Sequence, residues 1–408
     1  MSLLLFLGLL SAAGQAPSKE TLEIPGTKLK VELVGFPAGK AKVSDPAKGE
    51  ALREIELRSF SIAARDVTWA EFQAFRMAKE PKGADAVTRP TQGDSFFGQV
   101  GISADFTSPK APLTNIRWHS AAAYCEWLSR VTGRYFRLPT EAEWEMAARA
   151  GQGGDGPEAL DSVAWYKDNS NERTHPPGGK SPNAFGLYDM MGNVWQYCLE
   201  PHTLPDFSPV LRGGCWGSTA SELRFAKRQT VPWGWCDSDT NTPQSVWWMS
   251  STIASQGFRV VSVADASDRM EREEYAAKIE TRVAKGEEWK VPFGMKVNFF
   301  CRVTGEIKNA GDRVLDEVEV KVYYLDPKGN PHLAEITGAN KPGQATFGKG
   351  WPVMANSYHP GAQSRPLKPG ETRPFSIDMP STFDAEWEVD KTKFGARVTA
   401  LRFGKKDK

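Results

Sequence analysis

Two patterns of hydrophobic and polar positions divide the chain and predict two kinds of structure. From residue 296 onward, apolar and polar residues alternate, most clearly where Val318, Val320 and Val322 are separated by Glu319 and Lys321. This two-residue period is typical of half-buried strands, and turn signals separate the strand-like runs. Before residue 264 the apolar positions instead follow short helical segments separated by long stretches rich in turn residues. The sequence therefore predicts an α+β domain over 20–264, followed by a small all-β sandwich over 296–405.

Three helices are marked within the first domain. Thr68 and Thr140 each precede a Glu at the third position, which is the pattern of a capping box at a helix start. Residues 120–132 place apolar side chains on one face and end at Gly133, which is typical of a helix C-terminus. Long turn-rich stretches at 80–115 and 150–185 lie between the helices. Such loops favour a fold whose function resides in loops.

Residues 265–295 are rich in charged residues and have few apolar positions. Their composition favours helix formation without an amphipathic face that could join a core. The sequence therefore predicts a charged helical linker between the two domains.

The N-terminal residues 2–13 form an apolar run that is too short to span a bilayer, and small residues at Gly14 and Ala16 follow it. We expect residues 1–16 to be a signal peptide cleaved after Ala16, so that the protein is secreted or periplasmic. The segment before the apolar run lacks Lys and Arg, which leaves an uncleaved anchor or a different start as alternatives. No second apolar stretch of spanning length follows, so no membrane span is expected after cleavage.

Charge and cysteine content narrow the functional classes. The 408-residue chain has a net charge of +1, which gives no polyelectrolyte signal and argues against nucleic acid or anionic membrane partners. Export permits disulfides, but an odd number of cysteines leaves at least one unpaired within the chain. The five cysteines are Cys125, Cys198, Cys215, Cys236 and Cys301.

Four segments of the first domain, in order, resemble the formylglycine-generating enzyme (sulfatase-modifying factor) family. They are YFRLPTEAEWEMAAR (135–149), NAFGLYDMMGNVWQYC (183–198), LRGGCWGSTASELRFAKR (211–228) and GFRVV (257–261). The resemblance implies a variant of the C-type lectin fold, which is poor in regular structure. The second domain resembles the FxLYD-type and related bacterial immunoglobulin-like modules.

The family resemblance also implies an oxidase site that this chain does not reproduce. Family oxidases use two cysteines that follow the GGS motif to bind copper and convert a sulfatase cysteine to formylglycine with oxygen. Those positions fall on Ser218 and Leu223, and neither a hydroxyl nor an alkyl group replaces a thiolate as a ligand for Cu(I). Copper is therefore not expected, and no catalytic residue is assigned. Cys215 and Cys236 are the candidates for relocated thiols, and a structural disulfide or inert thiols are the alternatives.

A calcium site is a second implication of the resemblance. The segment 189–196 matches a family calcium loop, whose ligands would be Asp189, Gly192, Val194 and Gln196. A tight turn can direct several hard oxygens at one Ca²⁺ ion, although Gln196 supplies one charge fewer than the commoner Glu. A structural calcium ion and a hydrogen-bonded turn without metal both fit the sequence.

A tryptophan-rich insert between Arg228 and Gly257 provides the candidate binding surface. Aromatic rings mixed with small polar groups suit recognition of sugars or extended peptides, and packing of the rings onto the domain is the alternative. The family's substrate peptide lies near the strand that follows the GGS position. The candidate ligand contacts are Trp216, Ser218, Trp233 and Trp235.

Several charged residues at family positions are expected to have structural roles. Internal ion pairs are expected for Arg224, Arg228 and Arg259 rather than catalysis. The spacing of the acidic residues at 141, 143 and 145 favours a solvated helix start rather than an acid–base pair.

Three functional hypotheses follow from these observations. The first is an exported accessory module that binds a peptide, a glycan or another exported protein through its lectin-like face. The second is a copper- and oxygen-dependent oxidase that uses relocated thiols. The third is an enzyme of another kind on the same scaffold, for which the sequence shows no constellation of residues.

Overall fold

The computed structural model describes residues 17–45, 48, 51–78, 108–116, 118–201, 209–230, 255–263, 274–293, 296–325, 356–358, 366–380 and 390–403. They form two compact units, one mainly from residues up to Ala264 and the other mainly from Asp265 onward. The predicted signal peptide, Trp233, Trp235 and Cys236 lie outside the described residues.

The first unit contains two sheets and a separate hairpin. A five-stranded antiparallel sheet has the order β1-β2-β5-β11-β6, and a four-stranded sheet has the order β10-β7-β8-β9 with β10 parallel to β7. Strands β3 and β4 pair only with each other in the described part of the chain. The strands are β1 (Ser18–Glu23), β2 (Lys30–Phe36), β3 (Gly39–Asp45), β4 (Ala51–Leu57), β5 (Phe60–Ala63), β6 (Tyr135–Arg137), β7 (Trp195–Pro201), β8 (Pro209–Arg212), β9 (Gln229–Thr230), β10 (Gln256–Gly257) and β11 (Val261–Val263).

The helices begin where the sequence predicts. The Thr68 and Thr140 side chains each accept from the backbone N–H of the Glu three residues later, and both capping boxes are complete. The predicted third helix is present, and Gly133 follows it with φ 72° as a C-terminal residue. The helices are α1 (Trp69–Met77), α2 (Trp118–Thr132), α3 (Glu141–Arg149) and the single turn α4 (Leu160–Val163).

Helices α1 and α2 pack through an aromatic cluster at the centre of the first unit. The rings of Phe72 and Phe75 on α1 lie 6.4 and 5.9 Å from the ring of Tyr124 on α2. Tyr124 also contacts Trp127 and Phe258, with ring centroids 5.4 and 5.5 Å apart. Offset and edge-to-face aromatic pairs of this kind add to the free energy of burial. The cluster therefore ties the helices to the strand region around Phe258.

The second unit consists of two three-stranded antiparallel sheets, β12-β13-β16 and β15-β14-β17. Apolar side chains from strands of both sheets are buried, including Val303, Ile307, Val318 and Val320. The strand predicted from the alternation at 318–322 is present, whereas the immunoglobulin-like sandwich stays a prediction. The strands are β12 (Ile279–Phe293), β13 (Lys296–Asn309), β14 (Leu315–Leu325), β15 (Asn356–Tyr358), β16 (Thr372–Pro380) and β17 (Asp390–Phe403).

The expectation of a helical linker over 265–295 is wrong for residues 279–293, which form strand β12. Ile279, Thr281 and Val283 are less exposed than the charged residues between them, so a two-residue period is present in this segment. Pairing with β13 along the strand satisfies the backbone, and Glu280 forms a cross-strand ion pair with Lys308 at 3.3 Å. The high charge reflects an exposed strand face rather than a solvated helix.

No helix in the described part of the chain is both long enough and apolar enough to span a membrane.

Candidate functional site

The segment that would carry the family's thiol pair is a tight turn after strand β8. Gly213 and Gly214 have φ values of 93° and 77°, which L residues rarely adopt. The Cys215 N–H donates to Ser218 Oγ at 3.1 Å, and the Ser218 N–H donates to the Cys215 carbonyl at 3.0 Å. These reciprocal bonds fix the turn and point the Ser218 side chain back toward Gly214.

Ser218 and Leu223 lie on the same side of Gly214. A Cβ atom added to Gly214 would collide with a Leu223 methyl group and lie 3.3 Å from Ser218 Oγ. Both side chains are buried, with relative exposures of 5% and 2%. The structure therefore brings together the two positions at which the resemblance places cysteines, and fills them with a hydroxyl and an alkyl group.

Cys215 is the described thiol nearest to this position in sequence. Its Sγ atom lies 3.7 Å from Ser218 Oγ, and the residue is buried with 8% exposure. Cys125 and Cys198 are also buried, and neither forms a disulfide with another described residue. The other candidate for a relocated thiol, Cys236, lies outside the described residues, so the proposed Cys215/Cys236 pair stays a prediction.

Trp216 lies beside the turn, and the buried Ser170 holds its backbone. Trp216 is half-buried, and its backbone N–H donates to the Asn193 carbonyl at 2.9 Å. Ser170 Oγ donates to the Trp216 carbonyl at 2.9 Å. These bonds hold the backbone of the candidate ligand contact Trp216 while leaving part of its surface accessible.

Asn193 connects two loops near this surface. Its side-chain oxygen accepts from the His175 N–H at 2.9 Å, and its amide nitrogen donates to the His175 carbonyl at 3.0 Å. The His175 ring stacks on Trp165 at 3.8 Å between centroids, and the Lys180 ammonium lies 4.2 Å from the Trp165 ring. Asn193 thus has a structural role, because it joins the segment at His175 to the turn that precedes strand β7.

The expected calcium ligands lie in one turn, but the side-chain oxygen of Gln196 is directed elsewhere. Gln196 Oε1 accepts from Trp144 Nε1 at 2.6 Å and from Arg259 Nε at 2.8 Å. Both of these groups are donors only, so they fix the orientation of the amide. The Gln196 amide nitrogen donates to the Asp189 carbonyl at 2.7 Å. Gln196 therefore presents an N–H rather than an oxygen to the Asp189 backbone.

The remaining expected ligands also have structural contacts. The Asp189 carboxylate accepts from the Gly178 N–H at 2.6 Å through Oδ2. The Gly192 N–H donates to the Gly213 carbonyl at 2.9 Å, and Val194 is fully buried. Asp189 Oδ1 is buried and has no hydrogen-bond partner among the described residues. The side-chain oxygen of Gln196 is already used by Trp144 and Arg259, whereas one oxygen of Asp189 remains without a donor. Calcium binding stays a prediction that only a binding measurement tests.

Arg259 provides the positive charge in this region. It is fully buried, pairs with Asp66 at 3.3 Å, and donates to the carbonyls of Ala63 and Tyr188 at 2.9 and 2.8 Å. Burial raises the pKa of Asp189 to about 6, although the Gly178 amide and Arg259 act in the opposite direction. The Arg259 guanidinium therefore offsets only part of the negative charge of the buried Asp66 and Asp189 carboxylates.

A second network anchors helix α3 against the strand that leads into the Gly213–Gly214 turn. Arg212 pairs with Glu145 at 2.7 Å and with Glu141 at 3.2 Å, and Arg228 pairs with Glu141 at 2.6 Å. Burial disfavours the charge of Glu145, but Arg212, Ser44 and Arg149 together hold its pKa below the ordinary value. The network fixes the position of the turn through charged groups that are removed from water.

These contacts confirm one expectation about charged residues and correct another. Arg224 pairs with Asp155 at 3.2 Å, so all three arginines named from the sequence form ion pairs, although the Arg224 pair is exposed and only the Arg259 pair is fully buried. The expected solvated helix start is wrong for Glu143 and Glu145, which are buried, because Arg137 and Arg212 approach them from other elements.

Comparison with known proteins identifies a family match over the first unit. Residues 14–262 match the family described as "Sulfatase-modifying factor enzyme 1-like domain". Formylglycine-generating enzyme of Streptomyces coelicolor is 28% identical over 324 residues, covering 61% of this chain and 96% of that protein. Inactive C-alpha-formylglycine-generating enzyme 2 of Bos taurus is 33% identical over 277 residues, covering 54% of this chain and 86% of that protein.

Other similar proteins share only part of their length or only distant structural similarity. Serine/threonine-protein kinase pkn1 of Chlamydia pneumoniae is 34% identical over 142 residues, and the match spans 21% of the kinase. Among solved structures, Treponema denticola variable protein 1 is 23% identical with a TM-score of 0.44, covering 60% of this chain and 99% of that one.

Proposed function

The chain belongs to the sulfatase-modifying factor enzyme 1-like family, and from this premise we propose that it is an exported binding or accessory protein for peptides or glycans. Its ligand would contact the surface around Trp216 and Ser218 together with Trp233 and Trp235 in the insert. The second unit would act as a spacer or as a further contact with an exported partner.

The observation that carries this proposal is the pair of side chains over Gly214. The family resemblance assigns the copper-ligand positions to Ser218 and Leu223, and both residues are buried beside the same glycine. A neutral hydroxyl is a poor ligand for Cu(I), and an alkyl group is none at all. The residues present therefore do not fit the copper centre of an oxidase.

The names of the relatives include both an enzyme and an inactive form on this scaffold. One similar protein is named a formylglycine-generating enzyme, whereas a bovine relative with 33% identity is named an inactive form. Because a shared fold does not determine chemistry, the site residues must decide between these outcomes. The replacement of both ligand positions supports the inactive class for this chain.

An active oxidase with relocated thiols is the second candidate. The position of the Cys215 thiol, 3.7 Å from the Ser218 hydroxyl, favours it because this sulfur lies directly beside the lost site. A second sulfur would have to come from Cys236.

A turnover assay separates these two candidates. The full-length protein, Cu(I), oxygen and a sulfatase-type peptide are incubated together, and mass spectrometry follows conversion of the peptide cysteine. We expect no conversion by the natural chain. Conversion that disappears in Cys215→Ala would contradict the binding proposal and support relocated thiols.

A gain-of-function variant tests whether the two positions are the lost ligand pair. We expect Ser218→Cys combined with Leu223→Cys to bind about one Cu(I) per chain in a competition assay with a chromophoric chelator. Cys215→Ala in the same background is the matched control and should leave this binding in place. No gain of copper binding would show that the two side chains do not occupy a ligand pair's geometry.

The binding function itself is tested with a peptide and glycan array. We expect the natural chain to retain specific ligands that Trp233→Ala or Trp235→Ala loses. Trp387→Ala, which changes a tryptophan outside the insert, is the control and should retain them. An array without reproducible ligands, or with ligands that all variants retain, would contradict the proposed surface.

A further inference from the structure

A cavity of about 350 Å³ lies in the first unit. None of the residues of the turn at Gly214 belongs to its lining. Strands β2 and β5, the start of helix α1 and the segments at Pro109 and Pro176 contribute to its wall. Its volume falls within the usual range for sites that hold small organic molecules. We call it the Glu71 cavity, and its lining includes Val31, Arg65, Glu71, Lys110, Tyr124 and Val260.

The wall includes a carboxylate oxygen with unused hydrogen-bonding capacity. Glu71 Oε2 accepts from the Thr68 N–H at 2.7 Å and from the Thr68 hydroxyl at 2.6 Å. Glu71 Oε1 has no hydrogen-bond partner among the described residues. Burial raises the pKa of Glu71 above its ordinary value, although the bonds from Thr68 favour the charged form. A cationic ligand group at Oε1 would offset the cost of this desolvated charge.

A hydroxyl group without a partner lies in the same wall. Tyr124 is fully buried, and its hydroxyl has no hydrogen-bond partner in the described part of the chain. Glu71 is among the charges that raise the pKa of Tyr124, after burial itself, so the two groups interact electrostatically. A buried unsatisfied hydroxyl has a free-energy cost that a ligand can remove.

The exposed part of the lining carries more basic than acidic residues. Lys30, Arg65 and Lys110 are exposed lining residues, and so is Glu32, which pairs with Arg65 at 2.6 Å. Lys110 has no ion-pair partner within the described residues. Apolar side chains, including Val31 and Val260, form much of the wall between these charged groups. The cavity thus combines the half-buried carboxylate of Glu71, an apolar wall and an exposed lining in which basic residues outnumber the single carboxylate of Glu32.

From this arrangement we propose that the Glu71 cavity binds a small zwitterion, namely a dipeptide with a free amino group and a free carboxylate. The ammonium group would meet Glu71 Oε1 and the Tyr124 hydroxyl, and the carboxylate would meet Lys110 and Arg65. Apolar side chains of the dipeptide would contact Val31 and Val260. This site goes beyond the proposed recognition surface and uses none of its residues.

The experiment uses the full-length protein and one defined probe, the dipeptide valyl-valine, in calorimetric titration. N-acetyl-valyl-valine and valyl-valine amide are the matched controls, since each lacks one of the two charges. We expect saturable binding of valyl-valine and affinities for the blocked forms that are at least about tenfold lower.

Two variants connect the binding to the cavity. We expect Glu71→Gln to weaken binding at least about tenfold, while Gln at this position can still complete the capping box and preserve folding. Tyr124→Phe removes only the unpartnered hydroxyl, so it should weaken binding without lowering the melting temperature. Glu222→Gln is the control, because Glu222 also completes a capping box but does not line the cavity.

The proposal is overturned if valyl-valine shows no saturable binding up to about 20 mM, which corresponds to a negligible free energy of association. It is equally overturned if the blocked dipeptides bind as well as valyl-valine or if Glu71→Gln leaves the affinity unchanged. Since the variants do not involve Ser218, Leu223 or the insert, failure here is distinguishable from failure of the proposed function.

Discussion

Arg259 lies fully buried close to two carboxylates, and its hydrogen bonds reach several separate parts of the first unit. Its guanidinium contacts the Asp66 carboxylate, the Gln196 amide oxygen and the Ala63 carbonyl. Arginine suits this role because its planar group carries five donors and keeps its charge when buried. The side chain therefore joins strand β5, strand β7 and the turn after Tyr188.

Asp189 should make the stability of the first unit depend on pH in an unusual direction. Its pKa is raised to about 6 in the folded protein, compared with about 3.9 in an unfolded chain. Between these two pKa values the folded state binds more protons than the unfolded state. The contribution of Asp189 to the free energy of unfolding is therefore fully present below pH 4 and is lost as the pH rises through 6. Relative to Asp189→Asn, the natural chain should lose roughly 2–3 kcal/mol between pH 4 and 7. Urea unfolding of both proteins across this range measures the difference, and parallel pH profiles would contradict the prediction.

Removing the buried arginine should be costly. Arg259→Ala leaves the Asp66 charge buried without its partner, and we expect a loss of about 3–5 kcal/mol in the free energy of unfolding. Arg65→Ala is the control, because Arg65 pairs with Glu32 on the surface and such pairs contribute at most about 1 kcal/mol. Chemical denaturation measures both values. Similar small losses for the two variants would show that Arg259 does not stabilise the fold in this way.

Sequence patterns predict that a residue such as Arg259 forms an ion pair, but they do not predict which residue is its partner. The family resemblance leads to the expectation that Arg224, Arg228 and Arg259 form ion pairs, which the structure confirms. It gives no indication that Asp66 is the partner of Arg259, because the two residues are distant in the chain and meet only through the sheet. For the same reason the sequence does not show that Arg259 and Trp144 use the oxygen of Gln196.

Helix α3 illustrates how a local signal and long-range contacts act on one element. The capping box at Thr140 defines where the helix begins, and this is visible in the sequence. The burial of Glu143 and Glu145 follows instead from Arg137 and Arg212, which other strands bring to the helix. Spacing along a helix therefore predicts which residues share a face, but not which charged partners cover that face.

Thr140 offers a test of the cap. We expect Thr140→Ala to lower the free energy of unfolding by about 1–2 kcal/mol, because the Glu143 N–H at the buried start of α3 loses its acceptor. Thr219→Ala is the matched control, since its capping box opens an exposed three-residue turn. Its cost should be smaller. An equal effect of the two variants on urea unfolding would contradict a specific contribution of the buried cap.

Strand β12 shows where reading an element from composition fails. Its residues are mostly charged, and charge density alone favours a solvated helix. The alternation at Ile279, Thr281 and Val283 is short, and its meaning depends on the neighbouring strand β13 with which it pairs. A single strand can satisfy its backbone only through such a partner, so the information lies partly outside the segment.

At the scale of the whole molecule, the two units have separate sets of buried residues. The first is centred on aromatic side chains such as Tyr124 and Phe258, and the second on branched aliphatic residues such as Val303 and Val320. The change from helical spacing to alternation in the sequence predicts that the two units differ in secondary structure, but not which side chains form each core. Most of the insert, including Trp233 and Trp235, lies outside the described residues, so its proposed part in recognition rests on composition alone.

Separate cores should respond separately to mutation. We expect two thermal transitions, one for each unit. Arg259→Ala should lower the midpoint of the first unit's transition only. Val320→Ala, with a cost of about 2 kcal/mol, should lower the midpoint of the second unit's transition only. Differential scanning calorimetry of the natural chain and both variants measures this. A single transition shifted by both variants would show that the units unfold as one cooperative system.

The placement of the Arg259 guanidinium has a consequence for how the protein withstands its surroundings. A positive charge that is covalently part of the chain cannot dissociate, be exchanged for another ion or be extracted by a chelator. The positive charge beside Asp66 and Gln196 is therefore retained whatever the supply of dissolved metal. A protein with this arrangement would hold the shape of this region in media of widely differing ionic content.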